Sequence, residues 1–154
     1  MKICEYLSEK NVLTDLESAE KKEILEQFVK ELKKRGLIGK EKKILDQLLK
    51  RESLGSTGME NGVALPHALT EEVKEPLISI GIVKKGMNFE AVDQMPTYVL
   101  FLILGNQDQP GLQLKILAHI CRLVKETDLV ERFKKIDDPS QVCKILEEEE
   151  QSIV

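Results

Sequence analysis

Residues Tyr98 to Leu104 read YVLFLIL, seven apolar side chains in succession with no polar face. A strand open to water on one side alternates, and a surface helix keeps a polar stripe. A short run that does neither is a strand covered on both faces. The cover must come from the rest of the chain, and helical patterns stand on either side of it. In Ser18 to Arg35, Ile24, Leu25, Phe28, Val29 and Leu32 recur with the 3.6-residue period. Ser18 is placed to cap that helix, Lys33 to Arg35 suit its negative end, and Gly36 can close it. Lys40 to Glu52 predicts a second helix with Ile44, Leu45, Leu48 and Leu49 inward. Beyond the apolar strand, Leu112 to Lys125, Leu129 to Lys135 and a segment from Asp138-Pro139-Ser140 into the acidic tail predict three more. Val63 to Pro66 and Leu77 to Val83 (LISIGIV) are further strand candidates, with Gly86 as a turn after the second. Helices before and after a central set of strands predict a three-layer α/β fold with YVLFLIL buried in the sheet.

A chain of 154 residues is enough for one core, and residues 1–154 are expected to form a single domain. No repeat or low-complexity linker interrupts it. The acidic run Glu147 to Glu150 is expected to be a frayed, solvated helix end. Lysine and arginine number 23 against 27 aspartates and glutamates, a net charge of −4, and aromatics are only 4%. That balance argues against a nucleic-acid binder, which needs a basic footprint or stacking platforms. Lys33-Lys34-Arg35 and Lys40, Lys42 and Lys43 are expected to form a solvated helix face. Cys4, Cys121 and Cys143 are odd in number and widely spaced, as reduced thiols are. No uncharged apolar run reaches the ~18 residues of a membrane span, and MKICEYLSEK has no signal-peptide core. The expectation is a cytoplasmic protein with no direct membrane insertion.

Between the second helix and the first strand the texture changes to SLGSTGMENG, Ser53 to Gly62, and the strand after it runs into His67. A Gly/Ser/Thr-rich loop can aim backbone N–H groups and hydroxyls at one anion. An imidazole beside such a nest can be a base, a metal ligand or a phosphoryl acceptor. Pro66 fixes the backbone just before it. The same residues also suit a plain connector with His67 as a capping residue. Arg51 and Glu52 bear on the choice. Ile44, Leu48 and Arg51 share one spacing, as do Leu45, Leu49 and Glu52, so both charges extend the apolar stripe. An inward charge needs a partner, unless both side chains reach water from the last turn. In the functional reading, Arg51 opens into the glycine loop and binds an anion there. Other chemistries lack their residues. No Cys/His pair has zinc-ligand spacing, Gly55-Ser56-Thr57-Gly58 is no nucleophile elbow, and no phosphate-binding P-loop occurs.

The segment Arg51-Glu52-Ser53-Leu54-Gly55-Ser56-Thr57-Gly58, continued by Asn61-Gly62-Val63-Ala64-Leu65-Pro66-His67-Ala68, resembles the enzyme IIA domains of the bacterial phosphoenolpyruvate-dependent phosphotransferase system. The resemblance is to the fructose/mannitol and nitrogen-regulatory class. It extends to the leading helix, the YVLFLIL strand and the closing LQLKILAHICRLV…VERFKKIDDPSQVCKIL, and it looks most like the stand-alone nitrogen-regulatory branch. It implies a mixed, mostly parallel central sheet with helices on both faces. It also implies a phosphoryl carrier with no cofactor and no metal. His67 accepts the group from a phospho-HPr-like carrier and passes it to a IIB-type acceptor, or holds it as a signal for a regulated partner. The alternative is a sugar-specific transport component of the fructose/mannitol type. Arg51 would stabilise the phosphoryl group, with Gly55, Ser56, Thr57 and Asn61 as an anion-binding loop and Glu52 and Pro66 in support.

The sequence departs from that family at one place. Where the family usually carries a second active-site histidine, in a pattern like H-L-x-x-L-A, this chain has Gln113 in Gln113-Leu114-Lys115-Ile116-Leu117-Ala118. At about 100° per helical residue, Leu117, Ile120 and Val124 fall within about 40° of Gln113, and His119 about 120° away. Gln113 is therefore expected to face inward, and His119 to be a surface or helix-packing residue.

Overall fold

The computed structural model describes residues 1–153. Two short 3-10 turns, Ile3–Tyr6 and Glu9–Asn11, lead into strand β1 (Val12–Leu13). Helices α1 (Lys21–Lys34) and α2 (Glu41–Ser53) follow, then strands β2 (Val63–Ala64), β3 (His67–Thr70), β4 (Leu77–Met87) and β5 (Thr97–Asn106). Helices α3 (Pro110–Glu126), α4 (Leu129–Lys134) and α5 (Ser140–Ser152) close the chain. The sheet runs β1-β4-β5-β2, with β3 also paired to β5. Pairs β1/β4, β2/β5 and β3/β5 are parallel. The longest pair, β4 with β5, is antiparallel, so the sheet is mixed as expected.

The apolar run has its cover on both faces. From β5, Val99, Phe101 and Ile103 point to one side, where Ile116, Ile120, Leu123, Phe133 and Leu146 from α3 to α5 meet them. Leu100, Leu102 and Leu104 point to the other, against Ile24, Phe28 and Leu32 of α1 and Ile44 and Leu48 of α2. All six β5 side chains are fully buried. At ~1.5–3 kcal/mol for each large apolar side chain removed from water, this strand holds the two helical layers together.

Local structure departs from the sequence reading in four places. Ser18 is not the N-cap; Glu20 holds that position without a side-chain bond, and the Ser18 hydroxyl donates to Glu23 (3.0 Å). Gly36 does close α1, at φ +76°, with Leu37 N–H returning to the Leu32 carbonyl at 2.9 Å. Gly86 is not a turn after β4 but lies within it at φ +75°, where the register with β5 shifts between Ile82 and Met87. That is the geometry of a bulge. The strand expected at Val63 to Pro66 ends early, and a separate strand begins at His67.

The acidic tail is the fourth correction. Glu150 is not solvated but 4% exposed. Its carboxylate accepts the N–H groups of Ile3 (2.6 Å) and Cys4 (3.0 Å) and the His119 Nε2 proton (2.7 Å). One buried carboxylate thus joins the start of the chain, α3 and α5. Burial and this carboxylate push the Cys4 thiol up to about 11, so it stays protonated. Among the described residues no helix is long and apolar enough to cross a membrane.

Candidate functional site

Parallel pairing of β3 to β5 sets His67 opposite Ile103, and the Ile103 N–H donates to the Pro66 carbonyl at 3.0 Å. The ring is oriented by its own neighbourhood: Nδ1 lies 2.7 Å from the Leu65 carbonyl oxygen. A carbonyl only accepts, so Nδ1 carries the proton of the neutral ring and Nε2 keeps its lone pair. The ring stands in a cleft of about 470 Å³ that Arg51, Gln113 and Leu114 also line. Burial lowers the His67 pKa below its ordinary value. The Leu65 carbonyl works against that fall, the Arg51 charge adds to it, and Glu52 weakly opposes it. The unprotonated, nucleophilic ring is therefore the dominant form at neutral pH.

Arg51, in the last turn of α2, donates from Nη1 to the Gly55 carbonyl at 2.9 Å. It has no carboxylate partner among the described residues, so most of its five N–H donors and its full charge remain for the cleft. Gly55, at φ +149°, is where the chain turns to present that carbonyl.

Glu52 points the other way, and its partners explain its burial. Its carboxylate accepts from Lys21 Nζ (2.9 Å), from the Thr57 N–H (3.0 Å) and from the Thr57 hydroxyl. Lys21 also reaches the Ser56 hydroxyl (3.0 Å) and Glu90 (2.9 Å), and lies over the Phe89 ring. The Ser56 hydroxyl donates to the Phe89 carbonyl at 2.8 Å and accepts the Gly58 N–H. Both hydroxyls are thus already taken, by Phe89 and Glu52. Asn61, at φ +65°, turns the chain back, with its N–H on Asp93. Ser56, Thr57 and Asn61 do not line the His67 cleft; they build the loop that carries Gly55. Nothing in the sequence linked Lys21, the first residue of α1, to this loop.

Gly58 is the tightest point of that packing. A Cβ there would stand 2.7 Å from the Phe89 carbonyl oxygen and 2.9 Å from the Ala91 Cα, both backbone atoms with little freedom to move. Gly58→Ala is expected to cost about 1–3 kcal/mol, read as a lower urea midpoint with unchanged slope.

Gln113 faces inward, 5% exposed, in the first turn of α3. Its amide donates to the Ala68 carbonyl at 3.1 Å, and its Oε1 has no partner. A side chain on Gly105 would collide with that oxygen, so the bare glycine makes room for the amide. His119 lies off this face, on Glu150. Three residues that sequence reasoning did not single out complete the site. Leu54, Leu69 and Leu114 are 81%, 40% and 68% exposed and stand around the mouth of the cleft. Together they give the cleft an exposed apolar rim.

Residues 5–149 match the family model for the phosphoenolpyruvate-dependent sugar phosphotransferase system, EIIA 2. The chain is 27% identical to a nitrogen regulatory protein of Bradyrhizobium diazoefficiens, over 95% of each sequence. It is 28% identical to the fructose-specific EIIABC component of Bacillus subtilis, over 95% of this chain but 23% of that much longer protein. Its fold is similar to that of the nitrogen regulatory protein IIA-Ntr from Neisseria meningitidis, with a TM-score of 0.84, 26% identity and coverage of 94% and 98% of the two chains.

Proposed function

The chain belongs to the enzyme IIA type 2 family of the phosphoenolpyruvate-dependent sugar phosphotransferase system, and from this we propose that it carries a phosphoryl group on Nε2 of His67. The observation that supports this atom is the Leu65 carbonyl on Nδ1, which holds the proton away from Nε2. The Nε2 lone pair forms a bond to phosphorus as the bond between phosphorus and the donor's nitrogen breaks, and the leaving pair returns to the donor. Nε2 has no proton to lose, so no general base is required. The accepting ring gains positive charge, which the Leu65 carbonyl and the nearby Glu52 carboxylate favour. Arg51 faces the non-bridging oxygens with charge-assisted donors. The donor is a phospho-HPr-like carrier, and the acceptor a IIB-type domain or a regulated protein.

The nitrogen-regulatory type is the preferred reading, because a relative of that name matches over 95% of both sequences. The likeness to a fructose-specific component keeps a sugar-transport role as the second reading. The test is incubation with phosphoenolpyruvate, enzyme I and an HPr-type carrier, followed by mapping of the adduct. An acid-labile, base-stable phosphoryl group on His67 Nε2 is expected. An adduct on His119, or on Nδ1 of His67, overturns the assignment.

Gln113 bears on the rate of onward transfer. Its amide is neutral and partly committed to Ala68, so it offers the phosphoryl group at most a neutral hydrogen bond. Such bonds are roughly half as strong as charge-assisted ones. Gln113→His is expected to change the rate of onward transfer and to add a pH dependence between about 6 and 8. Gln113→Ala should weaken retention only modestly, and His119→Ala should leave both unchanged. The check is the rate of phosphoryl loss to a competent acceptor across that pH range.

A further inference from the structure

The His67 cleft continues into a second groove. Gln47 and Lys50 line both, and the second, about 880 Å³, runs along α2 to its start. Lys33 of α1, Lys40 before α2, and Lys42 and Lys43 of α2 form its walls. The opposing charges can be traced one by one. Lys43 is neutralised by Glu71 and Glu72, which follow β3, and Lys40 lies 3.9 Å from Glu72. Glu41 and Asp46 are the acids of the groove itself. Lys42, Lys50 and Arg51 form no ion pair among the described residues. No carboxylate lines the His67 cleft. On a chain whose net charge is −4, the unpaired Lys50 and Arg51 thus stand in the acceptor cleft and Lys42 in the groove that continues it.

We propose that cleft and groove form one docking face for an acidic protein, a phosphoryl donor whose reactive residue sits in an apolar patch flanked by carboxylates. The proposal rests on the reading of His67 as acceptor. Leu54, Leu69 and Leu114 exclude water at the centre of the contact, as the core of an interface does. The lysines at the rim steer the partner and reject a basic one, an effect on encounter rate more than on the bound complex.

The test uses one HPr-type carrier in two versions, with glutamates or with lysines flanking its phosphohistidine. At low salt the glutamate version should phosphorylate the chain with at least about tenfold higher kcat/KM, and the gap should narrow as salt rises. In a Lys40→Glu/Lys42→Glu variant the gap should close. Its kcat at saturating carrier and its rate with phosphoramidate, a small donor that needs no docking face, should stay as in the wild type. Equal or faster transfer from the lysine version, or a gap that survives in the double variant, overturns the docking face. A salt-sensitive complex with a 20-mer DNA duplex that the double variant loses reassigns the groove to nucleic acid and overturns it as well. Failure of both carriers and of phosphoramidate to label His67 instead overturns the acceptor reading beneath it.

Discussion

His67→Ala is expected to abolish phosphoryl acceptance altogether, because no other group in the cleft offers a neutral ring nitrogen. The nearest candidates fail on chemistry. Arg51 and Lys50 are cationic, Gln113 is an amide, and His119 lies outside the cleft with its Nε2 proton on Glu150. The variant should fold normally, since His67 is only partly buried and its one hydrogen bond is to its own neighbour's carbonyl. Label from phosphorylated carrier should fall to background while the thermal melt stays close to wild type. The pH profile of the unaltered protein carries a second check. Protonation removes the lone pair, so acceptance should fall as pH drops through the His67 pKa. Burial places that pKa below the ordinary histidine value of ~6.5, so the rate should already be on its plateau at pH 7 and decline only at more acid pH. A midpoint above the ordinary value would show that the ring is not held neutral by its surroundings.

Much of this site could be read from the chain because its parts are local. Arg51, Glu52 and His67 stand within 17 positions of one another by their numbering, and helical spacing alone turned both charges of α2 inward. Spacing could not say that they turn to different places. Arg51 ends in the open cleft, whereas Glu52 ends in a closed ion pair with Lys21, 31 residues earlier. That contact depends on how α1 packs on α2, and no local pattern encodes such packing. The hydroxyls of Ser56 and Thr57 illustrate the same gap. Composition marks the loop as able to bind an anion, yet both groups bind Phe89 and Glu52. The leucine rim was invisible for the same reason. Leu54, Leu69 and Leu114 come from α2's end, β3 and α3, and only the fold brings them to one mouth. The tail misled differently. Four glutamates in a row look solvated, but an α-helix turns one of them inward, and Glu150 meets the N–H groups of Ile3 and Cys4. The sheet, by contrast, was legible, because β5 needs cover on both faces and the helices on either side can supply it.

Arg51→Ala is expected to slow phosphoryl acceptance by roughly 30- to 1000-fold, the loss of about 2–4 kcal/mol of transition-state stabilisation from one positioned, charge-assisted donor. The fold should survive, since the guanidinium gives up a single hydrogen bond to the Gly55 carbonyl and no ion pair among the described residues. The loss should appear in kcat more than in KM if the arginine meets oxygens that gain charge as phosphorus moves. Arg51→Lys should recover part of the rate, because it restores the charge but not the planar fork. A second signature separates this role from a helix end reaching for water. The Arg51 charge helps to hold the His67 pKa down, so its removal should let that pKa rise. The pH profile of acceptance should then move to higher pH in Arg51→Ala and stay near its original place in Arg51→Lys. Unchanged kinetics together with an unchanged profile would leave Arg51 a solvated side chain. The phosphoryl oxygens would then have to be held by the Gln113 amide, which lines the same cleft.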